Sequence, residues 1–437
     1  MRVLKFGGTS VGTAQRMKEV ADLITDGQRK VVVLSAMSGT TNSLVEIANY
    51  LYKKNHDGAN EVINQLEIKY KQEIKDLYKT EDFKLKGLEL VKSHFEFIKS
   101  FTIDMFTVFE EKAILAQGEL LSTAMFHYYL EENGYDSVLL PALDYMRIDK
   151  NNEPDSNYIK EKLNEILSEN SEKNVFITQG YICRNAFGEI DNLQRGGSDY
   201  SASLIGAAAN ADEIQIWTDI DGMHNNDPRY VENTKSISDL SYDEAAELAY
   251  FGAKILHPTS VLPAKLANIP VRLLNTMEPK ASGTIISSKQ NKERMAAVAA
   301  KDGITAIKIK SGRMLLAYGF LRKVFEIFES YKTPIDMITT SEVGVSVTID
   351  DDRHLSEIVD DLKKYGTVDV DVDKVIVCVV GDLIAENKGY ASTIFDALKG
   401  IPIRMISYGG SNYNLSLLIN ADDKKEALNL LSNKLFN

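Results

Sequence analysis

Apolar and polar positions follow two rhythms over the first two thirds of the chain. Short runs rich in Val, Ile and Leu at Val3–Phe6, Val31–Leu34, Ser137–Leu140, Val175–Thr178, Glu213–Thr218 and Val271–Leu274 predict strands. Helical spacing fills the intervals, and this alternation predicts a mostly parallel sheet with helices on both faces. From Asn42 to Asn133 the pattern is almost continuously helical, with Lys and Glu interspersed among recurring Leu, Ile, Phe and Tyr. It reads as an amphipathic cap whose charged faces are solvated. The polar stretch Ser287–Arg294 reads as a linker.

Beyond the linker the chain repeats itself. Gly319-Phe320-Leu321-Arg322-Lys323-Val324-Phe325-Glu326 is echoed by Gly389-Tyr390-Ala391-Ser392-Thr393-Ile394-Phe395-Asp396. Pro334–Thr339 is then matched by Pro402–Ser407, and Val345–Ile349 by Leu415–Ile419. Each copy predicts a small βαββαβ unit, and two such units can pair, side by side or across a dimer, into one continuous sheet.

Length and charge narrow the functions. At 437 residues the chain is expected to hold two or three domains. Its 50 basic and 63 acidic residues give a net charge of −13, with no basic block to offset it, which argues against nucleic acid as a partner. No apolar run approaches the ~20 residues of a membrane span, and the chain opens directly on a strand, so a cytoplasmic protein is expected. Cys183 and Cys378 are far apart, and the six histidines show no ligand spacing, so neither a disulfide framework nor a protein-held metal is expected.

Five segments concentrate glycines, charges and hydroxyls. Lys5 ends the first strand and runs into Gly7-Gly8-Thr9-Ser10-Val11-Gly12, a strand-to-helix turn that gathers an ammonium, N–H groups and hydroxyls as a phosphate would require. Leu34–Asn42 ends a strand in small polar residues before a helix, Gln117-Gly118-Glu119 sits in a helix, and Leu193–Ala202 carries Arg195-Gly196-Gly197-Ser198-Asp199. The fifth is Trp217–Arg229, with Lys254 following in Tyr250-Phe251-Gly252-Ala253-Lys254. All but the third are expected at the C-terminal ends of strands, where open α/β sheets bind ligands.

These motifs closely match aspartate kinases: Lys5-Phe6-Gly7-Gly8-Thr9-Ser10, Arg195–Ala202, Trp217-Thr218-Asp219 with Asp227-Pro228-Arg229, and Tyr250–Pro258. The C-terminal repeat is similar to the paired ACT modules of the same enzymes, and no homoserine dehydrogenase half follows, so the chain resembles the monofunctional form. The resemblance implies an amino-acid-kinase-like three-layer αβα sandwich over 1–290, with its N-terminal part binding aspartate and its C-terminal part ATP. It implies a regulatory region over 295–437, with one ACT module at about 304–370 and a second at about 374–437 completed by a strand from 295–301. The implied reaction is transfer of the ATP γ-phosphoryl group to the side-chain carboxylate of L-aspartate. The product, 4-phospho-L-aspartate, begins lysine, threonine and methionine synthesis.

Residue chemistry agrees with that reaction. A carboxylate is already ionised at neutral pH, so no general base is needed; the difficulty is bringing two anions together, which calls for positioning and positive charge. By resemblance Lys5 stabilises the transferred group, in a cradle of Gly7, Gly8, Thr9 and Ser10. Arg195 pairs with the aspartate α-carboxylate and Glu119 with its ammonium, while Thr41, Gly196, Gly197, Ser198 and Asp199 complete the substrate side. Asp199 either serves the substrate or orients Lys5 or a metal-bound water. Thr218, Asp219, His224, Asp227, Arg229 and Lys254 map to the nucleotide side, with Mg²⁺ arriving on ATP. The family usually has Gly before the Arg-Gly-Gly-Ser-Asp core and threonines upstream, where this chain has Asp191-Asn192-Leu193-Gln194. It also places His224-Asn225-Asn226 where a Tyr and small hydroxyl residues are common.

The two repeats differ where a ligand would be felt. Asp336 in the first is Arg404 in the second, and only the acidic copy can pair with an ammonium. The resemblance implies feedback inhibition by L-lysine, around Met314, Ala317, Gly319, Phe320, Leu321, Asp336, Thr340, Ser341 and Glu342. It also implies a homo-oligomer, a dimer through the ACT modules or a tetramer.

Overall fold

The computed structural model describes every residue except 103–105, 194–195, 253–255, 290–293, 312–317, 382–387 and 437. The chain forms two compact units, Met1–Met223 with Leu256–Ser288, and His224–Ile255 with Lys289–Asn437.

In chain order the first unit begins β1 (Arg2–Phe6), α1 (Ala14–Ile24), β2 (Lys30–Leu34), α2 (Thr40–Tyr52), α3 (His56–Leu77), α4 (Glu81–Ser100) and α5 (Val108–Glu132). It continues with β3 (Ser137–Leu140), α6 (Ala142–Tyr145), α7 (Ser156–Glu169), β4 (Val175–Gln179), β5 (Ile182–Arg184), β6 (Ile190–Asn192), α8 (Gly197–Ala208) and β7 (Glu213–Thr218). After β8 (Asp239–Ser241) and α9 (Tyr242–Tyr250), which belong to the second unit, come α10 (Leu262–Ala267), β9 (Val271–Asn275) and β10 (Thr284–Ser287).

Within the first unit the sheet runs β3-β4-β2-β1-β7-β9-β10. Only β10 is antiparallel to its neighbour there. β2 and β4 are buried at every position, as central parallel strands covered on both faces must be. β1 lies centrally, with Lys5 level with Val33 of β2 and Ile216 of β7, so its C-terminal end opens between two neighbouring strand ends. The expected helical cap is α2 to α5, whose Ile63, Tyr70, Ile74, Phe95 and Phe126 are buried in one core with Phe6 and Trp217, the latter two rings stacking at 5.6 Å. The hydrophobic pattern did not foretell the β5–β6 hairpin, because its strands are only three residues long.

The second unit continues with β11 (Met295–Lys310), α11 (Phe320–Ser330), β12 (Ile338–Thr340), β13 (Gly344–Ile349), α12 (Leu355–Leu362) and β14 (Thr367–Gly381). α13 (Tyr390–Ala397), β15 (Met405–Tyr408), β16 (Asn414–Asn420) and α14 (Lys424–Leu435) complete it. Both repeats share one sheet, β12-β13-β11-β14-β16-β15. The long β11 and β14 run antiparallel through both copies, and the ladder slips between Lys301 and Ala306, at the junction of the copies. Each half buries its own core, Ile307, Val324, Phe328 and Val347 in one and Val377, Ile394, Leu417 and Leu428 in the other.

Candidate active site

β1 ends at Lys5 and Phe6, and the turn that follows is drawn tight by hydrogen bonds from the Ser10 and Val11 N–H groups to the Gly7 carbonyl, at 2.9 and 3.2 Å. Lys5 Nζ lies 2.7 Å from Asp199 Oδ1, the two side chains being 12% and 16% exposed. The contact is an ion pair by distance but not an aligned hydrogen bond, and the Asp199 oxygen has no other partner. The lysine is thus pinned near its charge partner without being saturated by it. Gly7 brings its Cα close to the ammonium, since a Cβ there would stand 3.4 Å from Lys5 Nζ. Ser10 is turned into the interior, its Oγ 2.7 Å from Thr276 Oγ1.

Two helices begin beside this turn. α2 and α8 are preceded by Gly39 and Gly196, at φ 80° and 85°, and neither N-cap offers a side chain to the first-turn N–H groups. Only glycine takes this left-handed backbone readily. An uncapped N-terminus leaves donors and the positive end of the helix dipole for an anion. Ser35, just past β2, donates from its Oγ to Ser198 Oγ at 2.9 Å and ties the two loops together.

A cavity of about 480 Å³ opens here, walled among others by Gly8, Thr9, Thr41, Glu119, Tyr181 and Ser198. Glu119 is the one carboxylate among its described lining residues and is 4% exposed. One oxygen accepts from the Ala36 N–H at 3.2 Å, while Oε2 is buried without a partner. Desolvation pushes the Glu119 carboxyl up to about 7, against the opposing pull of the Ala36 N–H. A buried acid with an unpartnered oxygen, on a residue that lines a cavity, is fitted to receive a cationic group. Glu119 can be there because Gly118 lets α5 approach the loop after β2: a Cβ at Gly118 would lie 2.8 Å from Ala36 Cβ.

The amino acid kinase family profile matches residues 1–275, and an ACT domain profile matches residues 377–435. Lysine-sensitive aspartokinase 3 of Escherichia coli K12 is 32% identical over 99% of this chain and 99% of its own length. The chain belongs to the aspartokinase family. Aspartokinase 2 of Arabidopsis thaliana chloroplasts is also 32% identical, over 99% of this chain and 84% of that protein. The crystal structure of E. coli aspartokinase III in complex with aspartate and ADP superposes with a TM-score of 0.86 at 30% identity, covering 100% of both chains. The lysine and aspartate complex of the same E. coli enzyme superposes at 0.83, also over 100% of both chains. This chain is accordingly an aspartate kinase that uses a nucleotide, and its architecture is the amino acid kinase fold with ACT modules. None of its described helices is long and apolar enough to cross a membrane.

Of the expected aspartokinase site residues, the first unit gathers Lys5, Gly7, Gly8, Thr9, Thr41, Glu119, Gly196, Gly197, Ser198 and Asp199 around the turn, the two helix starts and the cavity. Thr218 ends β7 and donates from Oγ1 to Asp219 at 3.1 Å. His224, Asp227 and Arg229 belong to the second unit. There His224 Nδ1 lies 3.0 Å from Thr234 Oγ1, and the exposed Arg229 grips Asp227 through both nitrogens of one edge at 2.6 and 3.0 Å. Arg195, Lys254, Met314 and Ala317 lie outside the described residues.

Asp336 is not a free carboxylate. Its side chain is 1% exposed, and Oδ1 takes Lys301 Nζ at 2.6 Å and the Tyr250 hydroxyl at 2.8 Å. Oδ2 is buried without a partner. Burial raises the Asp336 pKa, with Lys301 pulling it the other way. Lys301 is also 2.8 Å from Asp350 and sits over the Tyr250 ring at 4.6 Å. Gly319, Phe320 and Leu321 open α11, and Ser341 closes the β12–β13 turn by donating its N–H to the Gly344 carbonyl at 2.8 Å. Tyr181 and Lys69, whose Nζ donates to the Ser38 carbonyl at 2.7 Å, flank the site without a sequence signal that would have picked them out.

Proposed function

We propose that the kinase binds L-aspartate in the Glu119 cavity and transfers the γ-phosphoryl group of ATP to its side-chain carboxylate, giving 4-phospho-L-aspartate. The observation that carries this reading is the make-up of the Glu119 cavity: a buried acid with an unpartnered oxygen shares its walls with Gly8 and Thr9 of the turn that follows Lys5, and with the starts of two helices whose N–H groups carry positive charge. An amino acid bearing one ammonium and two carboxylates matches that distribution, with the ammonium on Glu119 and carboxylates toward the donors of Thr41, Ser198 and the helix starts. The E. coli relative binds aspartate and ADP, which supports the same assignment.

The chemistry asks little of the protein beyond placement. The acceptor carboxylate is its own nucleophile, so no side chain has to remove a proton. Lys5 and the N–H groups of the Gly7–Ser10 turn stabilise the charge on the phosphoryl group in flight, and Asp199 holds the lysine in position. Mg²⁺ carried on ATP would supply further positive charge for the transfer. Arg195 takes the α-carboxylate, while Thr218, Asp219, His224, Asp227, Arg229 and Lys254 serve the nucleotide.

L-Lysine inhibits the enzyme through the first repeat, around Asp336, Gly319–Leu321 and Thr340–Glu342. The empty Oδ2 of Asp336 supports that role, as does the lysine sensitivity of the E. coli relative. The enzyme works in the cytoplasm as a dimer through its ACT modules, at the first step toward lysine, threonine and methionine. Hydroxamate trapping with ATP, Mg²⁺ and L-aspartate, with and without lysine, tests both parts. No aspartyl hydroxamate overturns the activity, and a rate indifferent to lysine overturns the regulation.

A further inference from the structure

Tyr181 is the one aromatic among the described non-glycine residues with positive φ, at 67°; the other six are lysines, asparagines and an aspartate. Such a backbone is strained for a bulky residue and survives only where the surroundings leave no alternative. Here its N–H donates to Ser201 Oγ on α8 at 2.8 Å, and its carbonyl accepts from the Leu193 N–H at 2.8 Å. The β5–β6 hairpin therefore starts at a wall of the cavity and returns to the same residue.

The hairpin is fastened on its far side by charge. Asp191, directly opposite Cys183 in the ladder, places Oδ1 2.6 Å from Lys112 Nζ, the side chains being 6% and 24% exposed. The same oxygen accepts from the Asn192 N–H at 2.7 Å. Lys112 precedes Glu119 by two helical turns, so both project from one face of α5 about 10 Å apart along the axis. One helix face thus carries the cavity carboxylate and the hairpin's anchor.

We infer that Lys112 and Asp191 are positioning residues for the amino-acid substrate, their ion pair holding Tyr181 at a set place opposite Glu119. The inference rests on the reading that this cavity takes aspartate. Without Lys112 a buried carboxylate loses its counter-charge, and the hairpin relieves that by turning Asp191 toward water and drawing Tyr181 with it. None of Thr218, Asp219, His224, Asp227 and Arg229, assigned above to the nucleotide, is among the residues lining this cavity, so the defect is expected to fall on the amino acid.

The test is steady-state kinetics on the full-length enzyme carrying K112M, D191N, K112R or the swap K112D/D191K. K112M and D191N are expected to raise KM for aspartate about tenfold while KM for ATP stays within about twofold, a displacement effect of the size positioning errors give. K112R is expected to stay near the parent, and the swap to recover most of the loss. KM for aspartate unchanged in K112M and D191N while Tm falls would make the pair a structural tie only and overturn the proposal, as would an equal rise in both KM values. If K112M does not fold, K112R and the swap decide: a swap no better than D191N overturns it. A parent enzyme showing no aspartate-dependent ADP release would fail the substrate reading instead, and is read before any variant.

Discussion

Glu119 gives the sharpest test of the site, because its environment converts a pH change into a change in substrate affinity. Its carboxyl is pushed up to about 7 by burial. Only the ionised form can hold the substrate ammonium, so kcat/KM for aspartate should follow the ionised fraction of Glu119 in the free enzyme. With a pKa of about 7 that fraction falls about tenfold between pH 8 and pH 6, whereas an ordinary glutamate would stay ionised throughout. The assay is coupled ADP release at saturating ATP, with aspartate varied at each pH. A flat profile between pH 8 and pH 6 would refute the assignment. Stability moves the opposite way to activity. A folded-state pKa above the unfolded value means stability that is present at low pH and lost as pH rises through about 7. Holding the buried charge costs up to about 3 kcal/mol at pH 8 and only about 1 kcal/mol at pH 5. Glu119→Gln should therefore lose at least about a hundredfold in kcat/KM for aspartate, yet melt higher than the parent at pH 8 and almost level with it at pH 5. A variant less stable than the parent at both pH values would contradict the burial argument.

Three further outcomes are expected. Lys5→Ala should lower kcat about a thousandfold, the loss typical of a donor aimed at transition-state charge, with a circular dichroism spectrum like the parent's; a kcat within tenfold would remove its proposed role. Gly118→Ala should cost about 1–3 kcal/mol in urea unfolding and raise KM for aspartate, since its Cβ would stand 2.8 Å from Ala36 Cβ and push Glu119 away from the cavity. Asp336→Asn should raise the lysine concentration for half inhibition at least about tenfold, because the effector ammonium loses a buried charge-assisted partner; an unchanged inhibition curve would detach Asp336 from the effector.

Much of the architecture could be read from local pattern. The apolar runs at β1, β2, β3, β4, β7 and β9 carry their own period and their own punctuation, and a central parallel strand has few other ways to bury Val31-Val32-Val33. Lys5 was legible for the same reason: a strand end, two glycines and a helix start fix where that side chain emerges, whatever the rest of the chain does. The repeat was legible because two copies of one pattern lie in one order.

Burial and long-range partners were not legible. Glu119 looks like any solvated helical glutamate until Gly118 brings α5 onto Ala36, and its raised pKa exists only in that contact. Asp336 looked free to meet a ligand, yet Lys301 and Tyr250 already hold one of its oxygens from distant positions in the chain. Lys112 and Asp191 carry no signal in sequence, since an ion pair between a helix and a three-residue strand has no period to reveal it. Sequence by itself determined which backbone segments become strands and which chemistry stands at their ends, because those follow from spacing and conformational preference. Only the tertiary structure decided which charges lose water and which partner each one keeps, because desolvation and pairing depend on what the rest of the fold brings within a few ångströms.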